Sequence, residues 1–381
     1  MGFLKNVIVY LLFLIFISGC APSVIKLDTN EDNDPYSQFG KTSQREFYYE
    51  YPMNIDLTEK WESEINGGFT NSSVVIYDSA VFINDLSGRI YCFSIVNGKT
   101  LGKLKYKGSI FTTPIIHNTA LMFAISRDNE NTTILIYYDF KLGKEISSVE
   151  IYGRVIVEMV KVNDGIILIT ETGHVQKYDF SAKLVWDYET KAFVHSSPAS
   201  DNIYLVYGND DGEIICVDSR NGNLVYRKRI GALFYCGAVI SDNEIFIGDD
   251  NGTLYSIDLN SGNVNWSFQT NGKIKMEATA DTNSVVIGNL NGELFKLRKS
   301  DGKQTWKTET HGLLNSTPLL TPKYLIVPDV NKKLYFISAD KGAVVDSILI
   351  EGRVKLSPVI KNNILFIGYE NGNLKAYEFT P

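Results

Sequence analysis

Downstream of about residue 66, short runs of alternating apolar and polar residues recur, most of them headed by a glycine. Gly212-EIICVD, Gly252-TLYSID, Gly292-ELFKLR and Gly372-NLKAYE fall on a period of about 40 residues, and Lys332-KLYFIS holds the missing place. Gly88-RIYCFS, Thr132-TILIYYD and Gly173-HVQKYD extend the series toward the amino terminus, giving eight copies. Period-two alternation is the signature of a half-buried strand. The stretch from Asn243 to Ala280 shows one whole unit. Glu244 to Gly248 is a strand, Asp249-Asp250-Asn251-Gly252 a tight turn, and Thr253 to Asp258 a second strand. Asn260-Ser261-Gly262 then turns into a third strand at Asn263 to Gln269, and the run after Gly272 starts the innermost strand of the next unit. Four short strands per repeat make a propeller blade, and blades that cannot bury both faces alone must stack around an axis.

The innermost strands have their own rhythm. Gly108-SIFTTPI, Gly312-LLNSTPL and Gly352-RVKLSPV place Thr113, Thr317 and Ser357 just before a proline, Ser197 precedes Pro198, and Gly237 and Ala278 hold comparable offsets. Small side chains are expected where strands converge on a crowded channel. The last copy ends a few residues after Tyr377 and lacks an outer strand, whereas Glu59 to Ser63 is an outer strand with no blade of its own. The sequence therefore predicts an all-β, eight-bladed propeller closed by an N-terminal strand. Trp61 would complete the last blade in the position that Trp186, Trp266 and Trp306 occupy in theirs. Closure removes the open sheet edge that invites aggregation.

The amino terminus reads differently. Lys5 precedes an unbroken apolar run from Val7 to Ile17, followed by Ser18-Gly19-Cys20. The run is too short to span a bilayer comfortably and reads as a signal peptide over residues 1–19. Ile17-Ser18-Gly19-Cys20 resembles a bacterial lipobox, which implies cleavage before Cys20 and a lipid on its thiol. Residues 20–56 are polar and weakly patterned, and the expectation is a flexible lipidated tether reaching on the order of 30 Å. Phe47-Tyr48-Tyr49 at its end reads as packing against the propeller of residues 57–381, with an exposed docking strip as the alternative.

Composition narrows the function. The chain of 381 residues carries a formal charge of -7, which becomes -8 once Lys5 leaves with the signal, and this argues against nucleic acid as a partner. His117, His174, His195 and His311 fall in four different copies without ligand spacing, so no metal site is expected. Cys92, Cys216 and Cys236 read as small buried hydrophobes. The acidic turns Asn209-Asp210-Asp211-Gly212 and Asp249-Asp250-Asn251-Gly252 lack alternating calcium ligands and read as hairpin turns. No nucleophile–base pattern or phosphate-cradling loop stands out.

The unit Gly252, Tyr255, Asp258, Gly262 and Trp266, repeated in part as Gly292, Gly302 and Trp306, resembles the PQQ-type propeller repeat with its tryptophan-docking motif. WD-type propellers fit less well: Trp186-Asp187 lies too close to Gly173-His174 and in the outer-strand position. An eight-bladed ring of this type behind a lipobox resembles the BamB family, outer-membrane lipoproteins of the β-barrel assembly machinery. That resemblance implies a monomeric, non-catalytic scaffold without cofactors, lipid-anchored at the outer membrane and facing the periplasm, with a protein partner of BamA type. A quinoprotein-like enzyme or a carbohydrate- or ligand-binding propeller at the cell surface is the alternative, but the inserted cofactor-holding segments of the quinoprotein dehydrogenases find no counterpart in blades this short. In the BamB family the partner surface lies on consecutive inter-blade segments about halfway round the ring, combining an Arg with a pair of aspartates. The matching stretches here are Thr190 to Ser197 and Gly231 to Ala238. Phe193 stands in the Arg position and no acid stands near Leu233 or Tyr235, which leaves Lys191, Phe193, His195, Phe234 and Tyr235 as candidate partner-binding residues.

Overall fold

A computed structural model describes residues 24–51, 53–127, 129–370 and 372–380. Among them there is no helix; 32 strands form eight separate four-stranded antiparallel sheets. Blade 5 is typical, with strands Val239–Ser241, Glu244–Gly248, Thr253–Asp258 and Val264–Gln269 running from the axis outward. Its second strand is nearly all apolar and buried because it packs against neighbouring blades on both faces, whereas the outer strand keeps one face in solvent. The turn between the middle strands is held by Asp249, whose Oδ1 accepts the N–H groups of Asn251 and Thr253 at 3.1 and 2.9 Å. Asn209 does the same for Asp211 and Glu213, so these polar turns cap themselves as the sequence suggested.

The ring closes as predicted. Leu57–Glu64 pairs antiparallel with Asn373–Phe379 as the outer strand of blade 8, with Trp61 opposite Ala376. The seams between blades then explain the tryptophans. Trp61 in blade 8 donates its indole N–H to the Ile95 carbonyl of blade 1 at 2.9 Å and lies against Gly98, where an added Cβ would come within 2.7 Å of the ring. Trp186 reaches Ser219 over Gly222, Trp266 reaches Lys299 over Gly302, and Trp306 reaches Ala339 over Gly342. Each indole flattens onto a glycine in the turn before the next outer strand and satisfies a carbonyl there. Tyr226 performs the same task at the seam between blades 4 and 5, with its hydroxyl 3.0 Å from the Leu259 carbonyl and its ring on Gly262.

The flexible tether expected from the sequence is corrected by the structure. Residues 36–51 lie across one end of the channel, and Tyr36, Phe39, Phe47 and Tyr49 are buried there. An innermost strand has one edge facing the axis with no strand beside it, so its backbone groups need partners. Residues 36–47 supply them blade by blade. The carbonyls of Tyr36, Ser37, Ser43, Gln44, Glu46 and Phe47 accept the N–H groups of Ile76, Ile116, Ser200, Ile240, Ala280 and Leu320 in blades 1, 2, 4, 5, 6 and 7, all at 2.8–3.0 Å. Gln38 Oε1 accepts the N–H of Lys161 in blade 3, and the Tyr51 hydroxyl reaches Asn363 in blade 8. The segment is a washer that visits all eight blades in order. Its tight curve requires left-handed backbone at Gly40, Lys41, Arg45 and Phe47; packing against the ring holds Arg45 and Phe47 there, and Lys41 pairs with Asp34, just ahead of the segment.

Replacing Trp61 by Ala should cost roughly 3–5 kcal/mol, because a buried indole, a hydrogen bond and the seal between the last and first blades go together. Thermal unfolding checks this: Tm should fall by several degrees, with Trp61→Phe in between, and an unchanged Tm for Trp61→Ala would contradict the closure argument.

Candidate functional site

On the face opposite the washer, each inter-blade segment rides over the middle turn of the blade it enters. The carbonyls of Phe193, Leu233, Lys273, Leu313 and Arg353 accept the N–H groups of Asp210, Asp250, Leu290, Val330 and Glu370 at 2.9–3.1 Å. These five positions, equivalent in successive repeats, project from the rim. The next residue in each segment, Val194, Phe234, Ile274, Leu314 or Val354, is buried between blades.

This alternation sorts the candidate partner residues. Phe193 is 57% exposed and Tyr235 is 37% exposed. Lys191 stands exposed in a left-handed turn beside them. Phe234 is a correction: it is fully buried, packed edge-on to Tyr255 at 6.2 Å and filling the space above Gly208, where a Cβ would meet it at 2.5 Å. It belongs to the core between blades. The apolar character of its counterparts one repeat before and one repeat after was the available signal.

His195 and Tyr235 join a charged network spanning four blades. His195 Nδ1 lies 2.9 and 3.0 Å from the two oxygens of Asp210, and Nε2 lies 3.5 Å from Glu171. Its ring is 5.2 Å from that of Tyr235, over which the Lys275 ammonium sits 3.3 Å from the centroid. Lys275 and Lys273 both pair with Asp250, at 2.7 and 2.5 Å. Desolvation pushes the Asp250 carboxyl up, but its hydrogen bonds to Lys273 and Lys275 outweigh this and hold it below the usual carboxylate range. Phe193, and Leu313 on a later segment, are large apolar groups exposed on the inter-blade segments themselves, and Tyr152 and Leu349 stand exposed at the outer-strand ends that lead into two others. Lys191 and Phe193 lie beside the network without joining it.

The axis departs from the expectation of small residues. Thr113, Ser197, Gly237, Thr317 and Ser357 obey it; Glu158 and Glu277 occupy the same ring position in blades 3 and 6. Glu158 is buried and accepts both the N–H and the hydroxyl of Thr113, at 2.8 and 2.9 Å. Glu277 accepts from Thr317 and fills the space that a side chain at Gly237 would need. Arg45 rises from the washer, fully buried, donating to the Met159 carbonyl at 3.0 Å. Burial lowers the Arg45 guanidinium to about 10 against the attraction of Glu158 and Glu277. Burial pushes the Glu158 carboxyl up to about 8 despite Arg45 and Thr113, and desolvation also raises Glu277, which keeps some accessible surface. The sequence held no periodic hint of Arg45, because it comes from a segment running around the repeat and not along it.

No group of histidines, cysteines and acids among the described residues is placed to hold a metal ion. Cys92, Cys216 and Cys236 are free and buried, and burial raises all three thiols. Cys20 lies outside the described residues.

A closed ring of these repeats, sealed by its own amino-terminal strand, is a PQQ-repeat propeller. The family model described as outer membrane protein assembly factor BamB matches residues 56–267 and 250–380, and the chain belongs to that family. No curated protein matches the sequence. Among solved structures, BamB from Moraxella catarrhalis is 17% identical with a TM-score of 0.72, covering 85% of this chain and 100% of that one. The quinohemoprotein alcohol dehydrogenase ADHIIG from Pseudomonas putida HK5 is 11% identical with a TM-score of 0.77, covering 91% and 80%. A europium-containing methanol dehydrogenase is 9% identical with a TM-score of 0.75, covering 91% and 98%. At these identities the structural likenesses establish the fold.

Two outcomes follow from the geometry. Phe234→Ala should lower Tm by several degrees, whereas Phe193→Ala should leave it within about one degree; equal effects would contradict the assignment of one to the core and the other to the rim. Glu158 takes up a proton more readily folded than unfolded, so its ionisation opposes folding progressively as pH rises from about 5 to above 8. Tm should decline over that window and Glu158→Gln should flatten the decline; a parallel shift at every pH would show that the charge is not responsible.

Proposed function

We propose that this chain is a non-catalytic, lipid-anchored scaffold of the cell envelope. It binds a protein partner of BamA type through the loop rim and assists the assembly of β-barrel outer-membrane proteins. The observation that carries the reading is Phe193, an aromatic ring 57% exposed on an inter-blade segment, next to the exposed Lys191 and the fixed His195–Tyr235 network. Exposed aromatics on a rigid frame are the residues that most often anchor protein interfaces. Family membership supports the class of partner. The anchor is Cys20, with cleavage of the signal before it, and the outer membrane facing the periplasm is the matching location.

The fold is shared with quinoprotein dehydrogenases, so pyrroloquinoline quinone must be considered. That cofactor is a tricarboxylic acid. The axis here carries two acids, Glu158 and Glu277, and the single guanidinium of Arg45, one cation for three carboxylates, and Arg45 with the washer fills one end of the channel. The residues present do not fit it.

Photo-crosslinking in cells tests the proposal. A crosslinker at position 193 or 235 should capture a large β-barrel protein with POTRA-like periplasmic domains, and one at Val264 on the outer edge of blade 5 should not. Phe193→Ala and Lys191→Glu should cut the yield at least several-fold with Tm unchanged. Capture from Val264 but not from the rim would overturn the assignment.

A further inference from the structure

The segment that becomes the washer begins at the outer edge of the ring, and its start there has a physical reason. In blade 1 the outer-strand position opposite Cys92 is Gly102, where the register places Trp186, Tyr226, Trp266 and Trp306 in other blades. The seam between blades 1 and 2 therefore has no docking ring. Residues 24–27 fill it. Backbone atoms of Val24 and Ile25 lie where a Cβ on Gly102 would sit, at 2.5 and 2.8 Å, and the Lys26 side chain covers Gly143 as an indole covers Gly98 at the seam closing the ring. The N–H of Leu27 donates to the Phe140 carbonyl at 2.8 Å, the counterpart of the carbonyls that the indoles satisfy elsewhere. Tyr138 clasps Ile25, its hydroxyl 3.2 Å from the amide nitrogen and 3.0 Å from the carbonyl oxygen.

The chain is thus pinned at the rim four residues after Cys20. Four residues reach at most about 14 Å. We propose that the outer corner of blades 1 and 2, on the washer side, rests against an anionic lipid bilayer, so that the anchor holds the propeller close and in one orientation. This rests on the proposed lipidation of Cys20, and the surface around the pinned segment supplies independent support.

The two residues at the tip of the turn before each outer strand are polar or small in blades 3 to 7: Ser181-Ala182, Arg220-Asn221, Asn260-Ser261, Ser300-Asp301 and Asp340-Lys341. Blades 1 and 2 break this rule. Val96 stands 64% exposed in one tip and Leu142 55% exposed in the other, and Val24 is exposed on the pinned segment. Lysines outnumber acids next to these groups along the chain: Lys26, Lys99, Lys141 and Lys144 are exposed, with Asp28 and Glu145 the exposed acids beside them. The stretch from Val96 to Lys107 holds four lysines and no acid in a chain with 44 acids against 37 bases. The outer strand of blade 8 next door has three glutamates and one lysine. Apolar tips set among lysines match the acyl boundary and phosphate layer of an anionic membrane surface, and an acidic protein partner offers no counterpart to the apolar tips. The corner lies on the opposite face, two blades round the ring from Phe193 and three from Tyr235, so a bilayer held here leaves the candidate rim pointing away from the membrane.

The test uses the full lipidated chain reconstituted into vesicles of phosphatidylcholine and phosphatidylglycerol in a 3:1 ratio, with a quencher on the lipid headgroup. A fluorophore attached at Leu142→Cys should be quenched at least two-fold more than one at Val264→Cys on blade 5. Lys99→Glu with Lys141→Glu and Lys144→Glu should remove most of that difference. Chains that float with the vesicles but show equal quenching at both positions would overturn the proposed orientation and leave the anchor intact. An N-terminal peptide without lipid, together with loss of flotation, would overturn the anchor and the orientation with it. Equal quenching differences in vesicles with and without phosphatidylglycerol would contradict the electrostatic part of the proposal.

Discussion

Most seams of the ring depend on one arrangement: an N–H or O–H group crossing from one blade to a carbonyl in the turn of the next, above a glycine that lets the crossing group lie flat. Four indoles and the Tyr226 phenol make this contact in five of the seams. Gly98, Gly222, Gly262, Gly302 and Gly342 all have positive φ as well as an aromatic ring in contact, so a larger residue would be strained twice over. The blades themselves are small sheets with little reason to be stable alone. Docking makes them one body, which is why an outer strand from the start of the chain joins three strands from its end in blade 8.

The amino-terminal segment extends the same logic to the axis. Ordering it costs conformational entropy on the order of 1–2 kcal/mol per residue. Against this stand the backbone hydrogen bonds to the axis-facing edges of the inner strands and the burial of Ile25, Tyr36, Phe39, Phe47, Tyr49 and Met53. At the seam between blades 1 and 2, the same segment substitutes backbone for indole through Ile25 and Leu27. One stretch of chain therefore supplies that seam, the washer and the last outer strand. The buried Arg45 ties the washer to the ring through its hydrogen bond to the Met159 carbonyl, near Glu158 and Glu277, whose carboxyls burial pushes toward their neutral forms.

The blade period, the closure at Trp61 and the docking role of Trp186, Trp266 and Trp306 were legible because each follows the repeat and each demands a particular residue type. Tyr226 was legible in principle, since it stands midway between Trp186 and Trp266, but its ring type hid it. Only the end of the washer was legible: Phe47-Tyr48-Tyr49 read as packing against the ring, and Phe47 and Tyr49 are buried there, but the path of the segment from blade to blade was not. It meets each blade once, mostly through main-chain atoms, so neither a hydrophobic period nor a composition marks it, and its polar residues read as a tether. Phe234 was misplaced because aromatic character says nothing about which of two adjacent residues turns inward; only comparison with Val194, Ile274, Leu314 and Val354 does. Glu158 and Glu277 broke a rule of small residues that the other ring positions keep.

Hydrogen exchange of the intact chain, read by mass spectrometry on peptides covering residues 36–51 and the inner strands, tests most directly whether this segment is structural. The washer predicts that the amides of Ile76, Ile116, Ser200, Ile240, Ala280 and Leu320, which donate to it, are protected to the same degree as the middle strands, and that Tyr49 is protected with them. Complete exchange of residues 36–51 within seconds, with the inner-strand amides exchanging equally fast, would show a tether after all and contradict the account.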